Sequence, residues 1–199
     1  MRFGKFLKDY ENVTSTDEKG REVTKTVYVG KFYDMALNAR ELDTFKKTNL
    51  LLVFFIGALH LGAGFAGNKG TYQMYISVPY TAAFFPLLYL ALSVFMLPEL
   101  KRPYRRDEVE LSFGRMLSSG KILLGFLAVI VLAAFIFQFS LPDAALRSRE
   151  FLFITLEAGA LGLCALLVYK RKKVGDWVET PGQEHEQERP MTEAEAKPE

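Results

Sequence analysis

The chain has 199 residues, 50% of them hydrophobic and 24% charged, with a formal net charge of +2. Its mean hydropathy of +0.09 averages four apolar blocks against strongly charged segments, a segregation foreign to a soluble domain that spreads its apolar residues at period 2 or 3.6. The single cysteine, Cys164, excludes an intrachain disulfide and a Cys-based zinc motif.

In chain order, residues 12–33 come first, NVTSTDEKGREVTKTVYVGKFY, rich in Val, Thr and Tyr and interrupted by DEKG with Gly20 free to take a positive φ. This reads as a β-hairpin, whose later arm runs around Val23–Val29. A lone hairpin is marginal in water. It must therefore rest on a neighbouring loop, lipid headgroups or another protein. Residues 34–47 place Met35, Leu42 and Phe45 at helical spacing and predict a short interfacial helix leading into the first apolar block.

The blocks cover about 49–67, 77–98, 121–139 and 151–169. Each approaches the roughly 20 residues that cross about 30 Å of hydrocarbon at 1.5 Å per residue. The predicted fold is all-α: a four-transmembrane-helix bundle with a small hairpin before it and a tail after it. The mostly polar residues 1–48 do not resemble a secretory signal peptide. In the second block Pro79 falls at a permissible first-turn position, whereas Pro86 is interior and leaves the Ala82 carbonyl without its helical donor. The loop after it contains DEVELSFGRMLSSG, where Val109, Phe113, Met116 and Leu117 predict a second interfacial helix.

Lys and Arg set the expected orientation. Lys31, Arg40, Lys46 and Lys47 precede the first block, Lys101, Arg102, Arg105, Arg106, Arg115 and Lys121 separate the second from the third, and Lys170–Lys173 follow the fourth. The other two loops hold only Lys69, Arg147 and Arg149. Both termini are therefore expected in the cytoplasm, with the bilayer as first partner and a bacterial plasma (inner) membrane as setting. Tyr72, Tyr75 and Tyr80 read as aromatics at the outer interface. On the cytoplasmic side the NVT sequon at Asn12 is coincidental. The basic run Lys170–Lys173 reads as an ordinary inner flank. From Val174 onward the acidic, proline-bearing tail predicts disorder, and His185 among glutamates does not make a metal site.

Ionisable residues inside spans are the strongest functional pointers in such a sequence. There are two, His60 and Glu157. Counting from the outer ends of antiparallel spans one and four places both at similar depth, so the two can meet. Gly57 and Gly64 lie on the His60 face at i−3 and i+4 and let another group approach closely. Thr81, Thr155 and Gln138 lie at comparable or shallower depth. The expected result is a polar pocket in the outer half of the bundle around His60 and Glu157, beside the Pro86 kink. Cys164, seven residues from Glu157, reads as core.

No phosphate-binding loop, HExxH or CxxC is present, and two histidines argue against bis-His haem. The sequence therefore predicts no enzyme, no cofactor, no metal and no nucleic-acid partner. Two functional classes remain. One is an accessory or assembly subunit engaging a membrane or cytoplasmic protein; the alternative is a small oligomeric proton-linked transporter or channel. A stripe of Ala58, Gly62 and Ala66 hints at a homo-oligomer.

Overall fold

A computed structural model describes residues 7–16, 21–34, 37–98, 103–174 and 178–180. The hairpin is present: β1 (Tyr10–Thr16) pairs antiparallel with β2 (Glu22–Tyr28) in a register from Tyr10↔Tyr28 to Thr16↔Glu22. It starts two residues earlier than the Val/Thr pattern indicates, because Tyr10 and Tyr28 close its base ring against ring at 5.1 Å. Residues 17–20, with Gly20, lie outside the described residues.

Phe32–Asp34 (β3) does not extend the hairpin. It forms the centre of a second small sheet, ordered β4–β3–β5, with β4 at Tyr104–Arg105 and β5 at Val178–Thr180, all antiparallel. This sheet gathers the N-terminal segment, the connection after the second apolar helix and the segment after the fourth at one end of the bundle. For Val178–Thr180 it corrects the expectation of disorder from Val174 onward, since that strand pairs with β3; residues 175–177 and 181–199 lie outside the described residues. His185 lies outside the described residues.

Helix α1 (Ala39–Gly64) begins with a capping box, in which the Asn38 side chain accepts from the Glu41 N–H while the Glu41 carboxylate accepts from the Asn38 N–H, both at 2.9 Å. Residues 39–47 are thus the first turns of α1 rather than a separate interfacial helix. The helix ends in a tightened turn, with Gly67 at φ +63°, where a side chain would be strained. Helix α2 (Met74–Phe95) carries both prolines inside it; starting at Met74 puts Pro79 past the first turn. A short α3 (Arg106–Val109), a π-helical turn (Glu110–Gly114) and α4 (Arg115–Gln138) form one continuous 33-residue stretch, so the second predicted interfacial helix is the foot of a long one. Helix α5 (Ala144–Lys173) is capped by Asp143, which accepts from the Ala145 N–H at 2.9 Å, and ends in four basic residues that suit its negative pole.

Four helices, of 26, 22, 33 and 30 residues, are long and apolar enough to cross a membrane. Around the bundle α2 packs on α4, α4 on α5 and α5 on α1, while α1 meets α2 less extensively. Ile56, Ile76, Leu90, Leu123, Leu127, Phe153 and Cys164 are fully buried between them. Gly120 allows α4 and α5 to approach: a Cβ there would lie 2.9 Å from Val168 Cγ2, and the Cys164 thiol donates to the Gly120 carbonyl at 3.4 Å. Large apolar side chains such as Phe54, Phe85, Leu132 and Phe151 face outward, forming the exterior that hydrocarbon would cover.

Candidate functional site

His60 on α1 and Glu157 on α5 are both fully buried, and they touch. The imidazole Nδ1 lies 2.9 Å from one carboxyl oxygen and 3.1 Å from the other. The opposite ring nitrogen, Nε2, lies 3.2 Å from the Tyr80 carbonyl on α2. Tyr80 returns the bond, its hydroxyl donating to the His60 carbonyl at 2.8 Å. The imidazole also packs on the Tyr80 ring at 4.4 Å and the Phe84 ring at 4.6 Å.

Hydrogen-bond roles fix the number of protons. A carbonyl only accepts, so Nε2 carries a hydrogen. The contact between Nδ1 and Glu157 then needs one more proton, held either by nitrogen facing a carboxylate or by a carboxylic acid facing a neutral ring. Both forms have zero net charge, which is what a pair in a low-dielectric interior requires. The cluster joins three helices with its polar atoms satisfied internally, and one proton can move along the Nδ1–carboxyl line without changing its total charge.

The other residues predicted for this site sit elsewhere. Thr81 is exposed on α2. Thr155 is exposed on α5, its hydroxyl donating back to the Phe151 carbonyl at 2.8 Å, which lets it face hydrocarbon without an unmet donor. Gln138 is half-buried as the last residue of α4; the Gly120–Cys164 contact sets the α4–α5 register and leaves it about two to three helical turns along the axis from Glu157. Pro86 is buried, yet the carbonyl that His60 reaches belongs to Tyr80, not to Ala82, which Pro86 deprives of a donor. Gly64 lies under the Tyr80 hydroxyl, 2.5 Å from where its Cβ would be, whereas a Cβ at Gly57 would meet only Leu87 at 4.0 Å. In place of the predicted outer pocket there is a closed contact: neither His60 nor Glu157 lines either of two surface grooves, one near Arg40 and Lys170, the other near Arg149 and Thr155.

Three further polar features escape the sequence reading. Tyr80, an interface aromatic by its place in the sequence, is half of the α1–α2 link. Glu150 is fully buried where α5 overhangs the end of α1; its carboxyl group accepts from the Asn68 side chain and the Gly70 N–H, each at 3.0 Å, and clamps the α1–α2 connection. A Cβ at Gly70 would collide with that carboxyl group. Arg171, one of the basic flank residues, turns inward: its Nε donates to the Phe113 carbonyl at 3.1 Å and its guanidinium lies 5.1 Å from the Phe113 ring. The only sequence signal for these was polarity at the ends of apolar runs, which flank residues share.

At the end that carries the small sheet, the hairpin is tied to the foot of the third long helix. Tyr10 donates to Asp107 at 3.0 Å, and Tyr28 accepts from the Arg106 N–H at 3.1 Å while donating to the Lys31 carbonyl at 2.8 Å. Beyond this base the hairpin forms no sheet with a third strand among the described residues. Val13 pairs with Lys25, which puts Val13, Val23 and Val27 on one face, and Val13 and Val23 are 45% and 38% exposed.

Among the described residues no group of three or more His, Cys, Asp or Glu could hold a metal ion. Four helices long and apolar enough to cross a membrane, with an apolar exterior, point to a membrane protein built on a four-helix bundle. Comparison with protein-family models, curated proteins and solved structures finds no match.

Proposed function

We propose that the chain is a non-enzymatic accessory or assembly subunit of a bacterial plasma membrane, with both termini in the cytoplasm, and that its cytoplasmic hairpin engages a protein partner. The observation that carries this reading is the face of β1–β2 that bears Val13, Val23 and the half-buried Val27 beside Glu11 and Lys25, on a hairpin anchored at its base and with no third strand paired to it among the described residues. Exposed β-branched side chains beside unpaired strand edges are a surface on which another chain can lie. The polar cluster between the helices serves this reading as architecture, since all its bonds run between elements of the bundle. Lys and Arg clustered at the sheet-bearing end support the orientation.

A second reading, a small proton-linked transporter, draws on the proton shared by His60 and Glu157. The two separate in one experiment. Wild type, a Val13→Lys/Val23→Lys double variant and Glu157→Gln are purified in mild detergent, and co-purifying proteins are quantified. The accessory role predicts a stoichiometric partner retained by wild type and Glu157→Gln and lost from the valine variant. A partner-free wild type whose proteoliposomes carry a proton flux, abolished by Glu157→Gln, would replace it with transport.

A further inference from the structure

At the sheet-bearing end a groove of about 340 Å³ opens between the first turns of α1 and the last turn of α5. Arg40, Thr44 and Thr48 form one i, i+4 row along α1, Phe45 and Asn49 the next, and Lys170 faces them from α5. Glu41 also lines the groove, but its carboxylate accepts from the Asn38 N–H in the capping box. Two cations against one carboxylate leave the groove net positive.

Asn49 supplies the second observation. It is fully buried, its amide nitrogen donates to the Phe45 carbonyl at 2.7 Å, and that bond fixes which way the amide faces. Its Oδ1 is left without a hydrogen-bond partner among the described residues. A buried carbonyl oxygen in that state costs stability unless a donor arrives. The donor must suit a positive groove: an ammonium would add a third cation beside Arg40 and Lys170, whereas a hydroxyl donates without charge. The groove also continues into lipid-facing surface. Leu51, three residues beyond Thr48, and Leu166, one turn before Lys170, are both exposed and apolar.

We propose that this groove seats the headgroup of an anionic, hydroxyl-bearing phospholipid of the phosphatidylglycerol class. Its phosphodiester lies between Arg40 and Lys170, a headgroup hydroxyl donates to Asn49 Oδ1, and its acyl chains run along Leu51 and Leu166. This site is independent of the hairpin and of any partner bound there.

The test is native mass spectrometry of the full chain, released from mixed micelles holding equal amounts of phosphatidylglycerol, phosphatidylethanolamine, phosphatidylcholine and phosphatidylmethanol; the last has the same charge as phosphatidylglycerol but no headgroup hydroxyl. Wild type retains phosphatidylglycerol over the ethanolamine and choline lipids by about tenfold, the order expected of two basic side chains facing one phosphate. Arg40→Gln/Lys170→Gln, two changes at the rim of the groove, abolishes that preference. Asn49→Leu lowers phosphatidylglycerol to the level of phosphatidylmethanol. Equal retention of all four lipids by wild type, or an unchanged preference in the Arg40/Lys170 variant, overturns the site. Equal retention of phosphatidylglycerol and phosphatidylmethanol by wild type overturns the role of Asn49 even if Asn49→Leu does not fold. Displacement of the lipid by millimolar inorganic phosphate overturns the lipid as occupant.

Discussion

Gly57 and Gly64 flank His60 on one face of α1, and sequence spacing treats them alike; their surroundings do not. A methyl at residue 57 meets Leu87 at an ordinary 4.0 Å, so Gly57→Ala gains about 1 kcal/mol of helix propensity without penalty. A methyl at residue 64 displaces the Tyr80 hydroxyl from the His60 carbonyl, costing a hydrogen bond of about 1 kcal/mol and shifting the ring that packs on the imidazole. Thermal unfolding in detergent should therefore rank Gly57→Ala above wild type and Gly64→Ala below Gly57→Ala. Equal melting temperatures for the two variants would contradict the Tyr80–His60 link. His60→Leu alone leaves the Glu157 carboxyl group buried without its partner, and protonation limits the cost to about 1–3 kcal/mol. That loss is measurable by the same melts.

Each element owes its position to a few side chains at its ends. The hairpin docks through two phenols, and both titrate above the usual tyrosine value of 10.0: Tyr10 because burial disfavours its anion and its hydrogen bond to Asp107 reinforces this, Tyr28 chiefly because of burial. The docked form is the neutral phenol. A raised folded-state value means that the docking contribution is complete below pH 10 and is lost as pH climbs through the raised values. Limited proteolysis of the hairpin should stay flat to about pH 10 and rise beyond it, in step with tyrosinate absorbance. Release between pH 8 and 9 would show that the phenols are not the anchor.

Much at this scale was legible in the sequence. The four apolar runs identify the long helices because bilayer thickness dictates their length, and depth counting brings His60 opposite Glu157. Rotation about each helix axis was harder to read. Thr155 lies two residues, about 200° of helical turn, from Glu157 and so faces away. Thr81 adjoins Tyr80 in sequence, yet the bundle takes Tyr80 inward and leaves Thr81 out. The starts of helices were hidden differently. Asn38 and Glu41 spell a capping box, but the apolar run of the first span begins only at residue 49. The pairing of Val178–Thr180 with β3 depends on segments more than 140 residues apart and leaves no local signature.

Across the whole molecule, the candidate functional features divide into two kinds. Inside the bundle, His60, Glu157, Tyr80, Glu150 and Asn68 bond to one another or to backbone and tie α1, α2 and α5 together. At the sheet-bearing end, the valine face and the Arg40–Lys170 groove point outward. If the internal cluster is architecture, apolar residues of similar volume can take its place, since well-packed replacements of a buried pair are often neutral in stability. The most direct measurement is the double variant His60→Leu/Glu157→Met, assayed together for thermal stability and for the partner retained by wild type. The predicted result is a folded protein within about 1 kcal/mol of wild type, more stable than His60→Leu alone, that keeps its partner. A double variant that folds as well as wild type yet loses the partner or a proton flux would contradict it, and would make the His60–Glu157 proton the working part of the protein.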